Sequence, residues 1–457
     1  MIRLDCKSQQ YAWGKKGSES VVAQLLCAAS RADDGNGGNP SIIKEDQPYA
    51  EFWMGTHPNC PSHLAKLGQA DEAQSTLATW LQLHPEALGS VVQQRWPVEE
   101  SKGKKDEGRQ LPFLFKVLSI SQALSIQAHP DRSLGRILRD TKPQHYPDDN
   151  HKPEMALAVT PCEVLCGFRT VAQMALLFRH APEFARVVGQ EHVDQFLAEH
   201  EYGKKSDKEV VKPLFDRLMR ADPAKIAQGL TELQTRLSQG PGSEDDVVQK
   251  TEALVVRLSE QFPGDVGCFV AYFLNHLHLV PGQAVFLGPN VPHAYINGDM
   301  VECMASSDNT VRAGLTPKFK DVDTLVEMLT YKCGEPDWVH PTVRDGVRVY
   351  SPPVEEFVVS SVSLGSDGDG AAVLPPCDSF GLVLVYDGEG TVDVFSAENA
   401  DKQQLRVAKG QVYGLPAGHG LCVAGHLTLF KANVNCERAE TLRRSSASAT
   451  PDVSSAL

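Results

Sequence analysis

The sequence lacks the features that mark membrane-spanning, secreted or nucleic-acid-binding proteins. No apolar run is long enough to span a bilayer, and residues 1–6 contain no apolar core of a signal peptide. Positive charge is in deficit, because 44 Lys and Arg residues stand against 58 Asp and Glu residues and give a net charge of -14. We therefore expect a cytoplasmic protein with no membrane partner and no nucleic-acid partner.

The sequence also lacks the pattern of a closed cysteine zinc site. It contains 11 Cys, of which Cys162 and Cys166 are four residues apart, but no second Cys/His pair of zinc-finger spacing follows. In a long chain without a signal peptide, we expect these cysteines to be reduced thiols. Cys162 and Cys166 are interpreted as structural residues.

Periodicity divides the 457 residues into regions of different type. From 169 to 265 apolar residues recur at the spacing of one helix face, as in Val210, Leu214 and Leu218. The regions on either side contain short strand patterns bounded by Gly, Pro and Asp. In the C-terminal part, strands are expected at 347–350, 357–362, 381–386, 391–395, 411–415 and 427–432. The turn-rich stretch 29–46 and the charged stretch 97–110 are predicted to be exposed insertions.

The stretch 124–129 carries half of a candidate metal site. Read as a strand, it places Ser125, Gln127 and His129 on one face. Glu154 and His293 follow downstream, in the sequences HKPEM and VPHAY. An amide, two imidazoles and a carboxylate without any Cys suit a catalytic metal such as zinc, with an open coordination position, better than a closed structural zinc.

His276 and His278 alternate in the sequence NHLHL and could imitate a metal pair. No carboxylate motif accompanies them in the sequence. We interpret them as structural or cleft-lining residues.

Two β segments share a pattern of glycine and proline turns around a strand, at 281–293 and at 410–418. Both resemble the second motif of the cupin superfamily, in which a histidine ligand follows the strand. The first copy has His293, whereas the second has Leu421 where the ligand would fall and His419 two residues early. The resemblance implies one metal-bearing cupin-like barrel and one that has lost its metal.

A more specific resemblance comes from five motifs in order. They are YAWG at 11–14, YAEFWMGTHP at 49–58, QAHPD at 127–131, HKPEM at 151–155 and the segment 289–314. Together they resemble the type I phosphomannose isomerase family from about residue 3 to at least 330. The resemblance implies one zinc ion per chain, an active-site arginine at Arg312, and the metal ligands Gln127, His129, Glu154 and His293.

With this resemblance, the expected fold is mainly β with an inserted α-helical domain and two cupin-like (jelly-roll) β domains. The expected domains are a catalytic cupin-like domain at 1–168 and 266–335, a helical insertion at 169–265, a C-terminal cupin-like domain without metal ligands at 336–437 and a disordered tail at 438–457. We expect the protein to be a monomer.

The resemblance implies an aldose–ketose isomerase whose partner is a small hexose phosphate. It would interconvert mannose 6-phosphate and fructose 6-phosphate through a cis-enediol and supply mannose 6-phosphate for GDP-mannose synthesis. Arg312 stays protonated, so its role would be electrostatic. The base stays open between Glu302 and Lys152, with a metal-bound water or a His129 relay as further alternatives. The candidate substrate-binding residues are Ser125, Lys116, Tyr295 and Lys318.

Two other functions fit part of the pattern. A cupin dioxygenase would use another metal, but Gln127 in the first ligand position and the basic residues argue against it. A sugar-binding protein on an inactive scaffold is the non-enzymatic alternative. The presence of the whole ligand set and of Arg312 argues against that alternative for the chain as a whole.

Overall fold

The computed structural model describes residues 1–33, 43–65, 75–97, 109–365, 370–396 and 403–441. The predicted insertions 29–46 and 97–110 lie partly outside these ranges, and so does the predicted tail 438–457, of which residues 438–441 are helical. The chain divides into two compact units. The first contains Met1–Ser119, Val301–Ser306 and Val339–Leu457, and the second contains Ile120–Met300 and Ser307–Trp338.

The expectation of a mainly β fold with an inserted helical region is confirmed by the order of the elements. The described strands are β1 (Ile2–Asp5), β2 (Lys7–Gln9), β3 (Glu51–Met54), β4 (His63–Leu64), β5 (Phe113–Ile120), β6 (Ile126–Ala128), β7 (Glu154–Ala158), β8 (Cys162–Phe168), β9 (Leu274–Leu279), β10 (Ala284–Leu287), β11 (His293–Ala305), β12 (Val311–Gly314), β13 (Asp337–Trp338), β14 (Thr342–Arg344), β15 (Val347–Tyr350), β16 (Val358–Leu364), β17 (Ala371–Leu374), β18 (Gly381–Ser396), β19 (Gln403–Ala408), β20 (Val412–Leu415) and β21 (His419–Asn433).

The described α-helices are α1 (Val21–Asp33), α2 (Leu77–Leu83), α3 (Ser90–Arg95), α4 (Arg132–Thr141), α5 (Val171–His180), α6 (Pro182–Val188), α7 (Gln190–Tyr202), α8 (Asp207–Met219), α9 (Pro223–Ser238), α10 (Asp246–Gln261), α11 (Gly267–Val270) and α12 (Val322–Met328). Two short 3-10 helices lie at Gly17–Glu19 and Pro85–Leu88. Within the described ranges, no helix combines the length and the apolar character needed to cross a bilayer.

The first unit is built on a large antiparallel sheet in the order β14-β15-β16-β21-β18-β20-β1-β4. β17 pairs with β21, and β19 pairs with β18. A further set of strands places β3 between β2 and β5. Alternate residues of the large sheet, such as Val383, Leu421 and Leu429, are buried in one apolar cluster, which accounts for the period-two pattern of these strands.

The second unit joins short strands to the helical region. β8 pairs with β9 and β11, β6 pairs with β11 and β12, and β7 pairs with β10. The helical stripe of Val210, Leu214 and Leu218 is buried in the main apolar cluster of this unit, as its spacing predicted. Helix α5 begins at a capping box in which Thr170 and Gln173 exchange hydrogen bonds.

Candidate metal centre and active site

Three of the predicted site residues lie in one row across three strands. Gln127 on β6 lies opposite His293 on β11 and opposite Arg312 on β12. Directly opposed residues of paired strands project to the same face of the sheet. The strand pairing therefore brings an amide, an imidazole and a guanidinium together, although Gln127 and His293 are 166 positions apart in the sequence.

His129, Glu154 and His293 form a compact buried cluster. All three are at most 1% exposed, and one ligand atom from each lies within 4.8 Å of the others. His129 Nε2 is 3.2 Å from Glu154 Oε1, and His293 Nε2 is 3.4 Å from Glu154 Oε2. The two imidazole rings lie 5.0 Å apart. The carboxylate thus stands between two ring nitrogens.

Backbone carbonyls fix the orientation of both imidazoles. His129 Nδ1 lies 2.7 Å from the Asn309 carbonyl, and His293 Nδ1 lies 2.9 Å from the Val291 carbonyl. Each carbonyl accepts a hydrogen bond, so each ring carries its hydrogen on Nδ1 and leaves a lone pair on Nε2. Neither Nε2 atom has a hydrogen-bond partner of acceptable geometry. Two buried lone pairs therefore face a carboxylate, an arrangement that needs a cation between them.

The ionisation of these groups matches this arrangement. Burial, followed by the positive charge of Lys152, lowers the pKa of His129 to about 4. Burial acts to raise the pKa of Glu154, but Lys152 and the two imidazoles hold it well below its usual range. Lys152 Nζ lies 2.9 Å from Glu154 Oε1. The cluster therefore offers two imidazole nitrogens with lone pairs and one anionic carboxylate, which are groups that ligate a divalent metal.

Among the other predicted residues of this unit, Tyr295 contacts the cluster, Ser125 contacts Gln127, and Arg312 lies opposite Gln127. The Tyr295 hydroxyl donates to Glu154 Oε2 at 3.4 Å. The Ser125 hydroxyl donates to the Gln127 side-chain oxygen at 3.4 Å. Arg312 is partly buried, and this burial lowers its pKa from the usual arginine value.

The remaining predicted residues are Lys116, Glu302 and Lys318. Lys116 and Glu302 belong to the first unit, where Lys116 Nζ is 3.1 Å from Glu302 Oε2 and 3.5 Å from Glu51 Oε2. Lys116 also lies 4.8 Å from the centroid of the Trp53 ring. Lys318 is exposed, and within the described part of the chain its side chain makes no ion pair or hydrogen bond.

A second cluster was not expected from the sequence. The pairing of β8 with β9 places Glu163 opposite His278, and the Glu163 carboxylate lies 2.9 Å from His276 Nε2. Glu163, His276 and His278 also offer ligand atoms within 4.8 Å of one another. A carboxylate thus does accompany this histidine pair. Both of its oxygens are bound by the Arg257 guanidinium, so the positive charge at this cluster comes from the protein.

Sequence reasoning also missed the residues that hold the ligands in place. The Asn309 side chain donates to the Asp148 and Asn150 carbonyls at 2.8 and 2.9 Å and so fixes the segment whose own carbonyl orients His129. Asn309 stands three residues before Arg312 in the motif NTVRAG, which was the available signal. Glu51 and Trp53, which lie beside Lys116, belong to the motif YAEFWMGTHP but received no role.

Comparisons with known proteins agree with this geometry. Residues 1–171 match the catalytic domain of type I phosphomannose isomerase, and residues 187–274 match its helical insertion domain. The mannose-6-phosphate isomerase of Bos taurus is 42% identical, with 94% of this chain and 97% of that protein covered. Mannose-6-phosphate isomerase 2 of Arabidopsis thaliana is 39% identical, with 96% and 95% covered. The chain belongs to the type I phosphomannose isomerase family.

Solved structures of this family have the same fold. An arginine-to-alanine variant of the phosphomannose isomerase from Salmonella typhimurium superposes with a TM-score of 0.74 at 26% identity, over 95% of this chain and 99% of that one. A mannose 6-phosphate isomerase bound with zinc and yttrium gives a TM-score of 0.73 at 26% identity, with the same coverage. Family membership confirms the expectation of an isomerase and sets aside the dioxygenase and the inactive scaffold.

Proposed function

We propose that this protein is a zinc-dependent isomerase that interconverts mannose 6-phosphate and fructose 6-phosphate. The observation that carries the metal dependence is the pair of buried Nε2 lone pairs of His129 and His293, which face the Glu154 carboxylate without a hydrogen-bonding proton between them. The substrate is taken from the names of the relatives in Bos taurus and Arabidopsis thaliana. The zinc is supported by the zinc-bound structure of similar fold.

In this proposal one zinc ion per chain is held by Gln127, His129, Glu154 and His293. The donor set fits a catalytic metal, because two neutral nitrogens, an amide oxygen and one carboxylate leave most of the positive charge of a divalent ion uncompensated. When bound, the ion supplies Lewis-acid polarisation of the sugar carbonyl and of its neighbouring hydroxyl.

The protein side chains would carry the proton transfer between C2 and C1, through a cis-enediol. Lys152 is ion-paired with Glu154 and is thus presented as an ammonium, the form that donates a proton or stabilises a developing oxyanion. Glu302 is ion-paired with Lys116 and is presented as a carboxylate, the form that accepts a proton. We therefore propose Glu302 as the base and Lys152 as the charged partner.

Substrate binding is proposed to involve further polar and charged residues. Arg312, opposite Gln127 on the neighbouring strand, offers a fork of donors for phosphate or for the enediolate oxygen. Ser125 and Tyr295 are proposed to contact sugar hydroxyls, and Lys116 and Lys318 to contact substrate oxygens. Supply of mannose 6-phosphate for GDP-mannose synthesis, a cytoplasmic location and a monomeric state remain predictions.

The test follows the conversion of mannose 6-phosphate to fructose 6-phosphate before chelation, after chelation and after zinc is restored. The variant His293→Ala should lose more than the roughly 100-fold that removal of an outer-shell partner typically costs. The matched control His276→Ala, in the second histidine cluster of the same unit, should keep its activity. Absence of turnover in folded, zinc-loaded wild-type protein would overturn the proposal.

A further inference from the structure

Cys377 and Cys436 lie side by side in the first unit. Their sulfur atoms are 3.3 Å apart, and both residues are partly exposed. The contact follows from the sheet, because Gly381 at the start of β18 pairs with Asn433 at the end of β21. Cys377 precedes the first of these strands and Cys436 follows the second, so antiparallel pairing brings the two thiols together.

A buried lysine stands behind this thiol pair. Lys431 on β21 is 4% exposed and lies opposite Ser360 on β16 and Val383 on β18. Within the described residues it forms no ion pair with a carboxylate. Burial lowers the pKa of Lys431, and the negative charges of Cys377 and Cys436 act to raise it. A buried ammonium needs a nearby negative charge, and a thiolate is the anion available at this place.

Asn433 adds a second donor to the same sulfur. Its side-chain amide donates to Cys377 Sγ at 3.3 Å and also to the Val434 carbonyl at 2.8 Å, which holds the amide in position. Cys377 Sγ thus lies next to a thiol and an amide donor, with a buried ammonium close by. This surrounding stabilises an anion on Cys377 rather than on Cys436.

We propose that Cys377 and Cys436 are an oxidation site that reacts with hydrogen peroxide and closes to a disulfide. The Cys377 thiolate attacks one peroxide oxygen, the O–O bond breaks, and hydroxide leaves as the sulfenic acid forms. The Cys436 thiol then loses its proton and its sulfur attacks the Cys377 sulfur. The S–O bond of the sulfenic acid breaks, and its oxygen leaves as water. Two thiols are oxidised, one peroxide is reduced, and two waters are formed in total.

The geometry favours the closing step. A disulfide bond is about 2.05 Å long, so the two sulfurs need to approach by little more than about 1 Å. The ionisation favours the first step. The hydrogen bond from Cys436 outweighs the opposing burial and, with Lys431, lowers the pKa of Cys377 to about 7. The same hydrogen bond raises the pKa of Cys436, and Asp378 and Glu440 raise it further.

The test treats the full-length protein with hydrogen peroxide and measures the mass of the intact chain and of its peptides. Wild-type protein should lose two hydrogen masses and yield a linked peptide pair containing Cys377 and Cys436, which a reductant separates. Cys377→Ser should yield no such pair. Cys436→Ser should stop at a sulfenic acid on Cys377, captured by a dimedone-type reagent. Cys422→Ser, at a partly exposed cysteine of β21, is the matched control and should keep the linked pair.

A second measurement compares alkylation rates by iodoacetamide at pH 7. Cys377 should react about tenfold faster than Cys422 in the wild-type protein, and Lys431→Met should reduce this difference. The proposal is wrong if Cys377 reacts no faster than Cys422 and peroxide leaves Cys377 and Cys436 unlinked. These wild-type readouts decide the matter even if the lysine variant does not fold.

Discussion

Two clusters in the second unit each contain two His and one Glu but differ in what surrounds them. His129, Glu154 and His293 are buried, whereas Glu163 and His276 are partly exposed and His278 is exposed. In the first cluster both imidazoles give their Nδ1 hydrogens to backbone carbonyls, so their Nε2 lone pairs face the carboxylate. In the second, Arg257 binds both oxygens of Glu163.

The difference shows that residue type alone does not define a metal site. A carboxylate that accepts hydrogen bonds from a guanidinium fork has its charge compensated within the protein. Glu154 receives the Lys152 ammonium at Oε1 and a hydrogen bond of 3.4 Å from the Tyr295 hydroxyl at Oε2, and each of its oxygens also faces an imidazole lone pair. The backbone carbonyls that set the histidine tautomer therefore decide which of the two clusters requires an external cation.

We expect the largest effect when the carboxylate of each cluster is replaced in turn and the two variants are compared. Glu154→Gln should lower zinc affinity and isomerase activity by more than about 100-fold, because it removes the anionic ligand between the two imidazoles. The same substitution at Glu163 should leave both unchanged, since Arg257 already satisfies that carboxylate. Zinc content after dialysis and the rate of fructose 6-phosphate formation measure both variants. Equal losses in the two variants would show that the comparison between the clusters is mistaken.

The sequence predicted one part of the site from local spacing and the rest through family resemblance. Strand alternation placed Gln127 and His129 on one face, and the structure has a strand there, β6. Spacing could not predict that Glu163 meets His276, because the helices α5 to α11 separate β8 from β9 in the chain. The register that joins these strands depends on how that insertion folds, a tertiary effect absent from any local window.

The strand boundaries show a similar limit. Two strands were expected at 381–386 and 391–395, with the sequence Asp-Gly-Glu-Gly between them as a turn. The structure has a single strand, β18, with a shift of register between Val385 and Asp387. Gly388 takes a φ of 74° and accommodates the irregularity without ending the strand. From sequence alone, Gly and Asp residues inside a long strand predict a turn. Only the pairing with the partner strand shows that the strand continues through them.

The structure also changes the interpretation of the second cupin-like pattern, at 410–418. The sequence comparison put Leu421 in the ligand position, two residues after His419. In the structure His419 begins β21 with Nδ1 3.0 Å from the Ala417 carbonyl, just as His293 begins β11 with Nδ1 beside the Val291 carbonyl. By this local geometry His419, rather than Leu421, is the counterpart of His293. The shorter turn at 416–418 concealed the correspondence in the sequence.

We expect an intermediate effect from replacing Asn309, whose side chain fixes the segment that carries the carbonyl acceptor of His129. Asn309→Ala removes the hydrogen bonds to the Asp148 and Asn150 carbonyls, so the segment that orients His129 is less well fixed. Zinc affinity should fall about 10- to 100-fold, the range typical of outer-shell partners, as measured by competition with a chromophoric chelator. Asn275→Ala is the matched control, because the Asn275 amide also donates to backbone carbonyls, among them those of Cys166, Phe168 and Gly334, but not to the segment that orients His129. If both variants bind zinc equally, Asn309 has no role in orienting the ligand.

The smallest expected effect is a pH dependence at the second cluster. The hydrogen bond from His276 and, against the effect of burial, the contact with Arg257 lower the pKa of Glu163 from its usual 4.5 to about 2. A carboxyl whose folded-state pKa is lowered stabilises the fold above its unfolded pKa, and this stabilisation is lost as the pH falls from about 4.5 to about 2. Since Arg257 is 39% exposed, solvent screening limits the effect to about 1 kcal/mol.

Urea unfolding of wild-type protein and of Glu163→Gln at pH 6, 5, 4 and 3 measures this contribution. The wild type should be more stable by about 1 kcal/mol at pH 6, and the difference should shrink towards pH 3. Titration of His129 and Glu154 cancels, because both proteins contain that cluster unchanged. A difference that stays constant across this range would mean that the Glu163 side chain stabilises the protein through packing rather than through charge. In that case Arg257 would not be what compensates the charge of the Glu163 carboxylate.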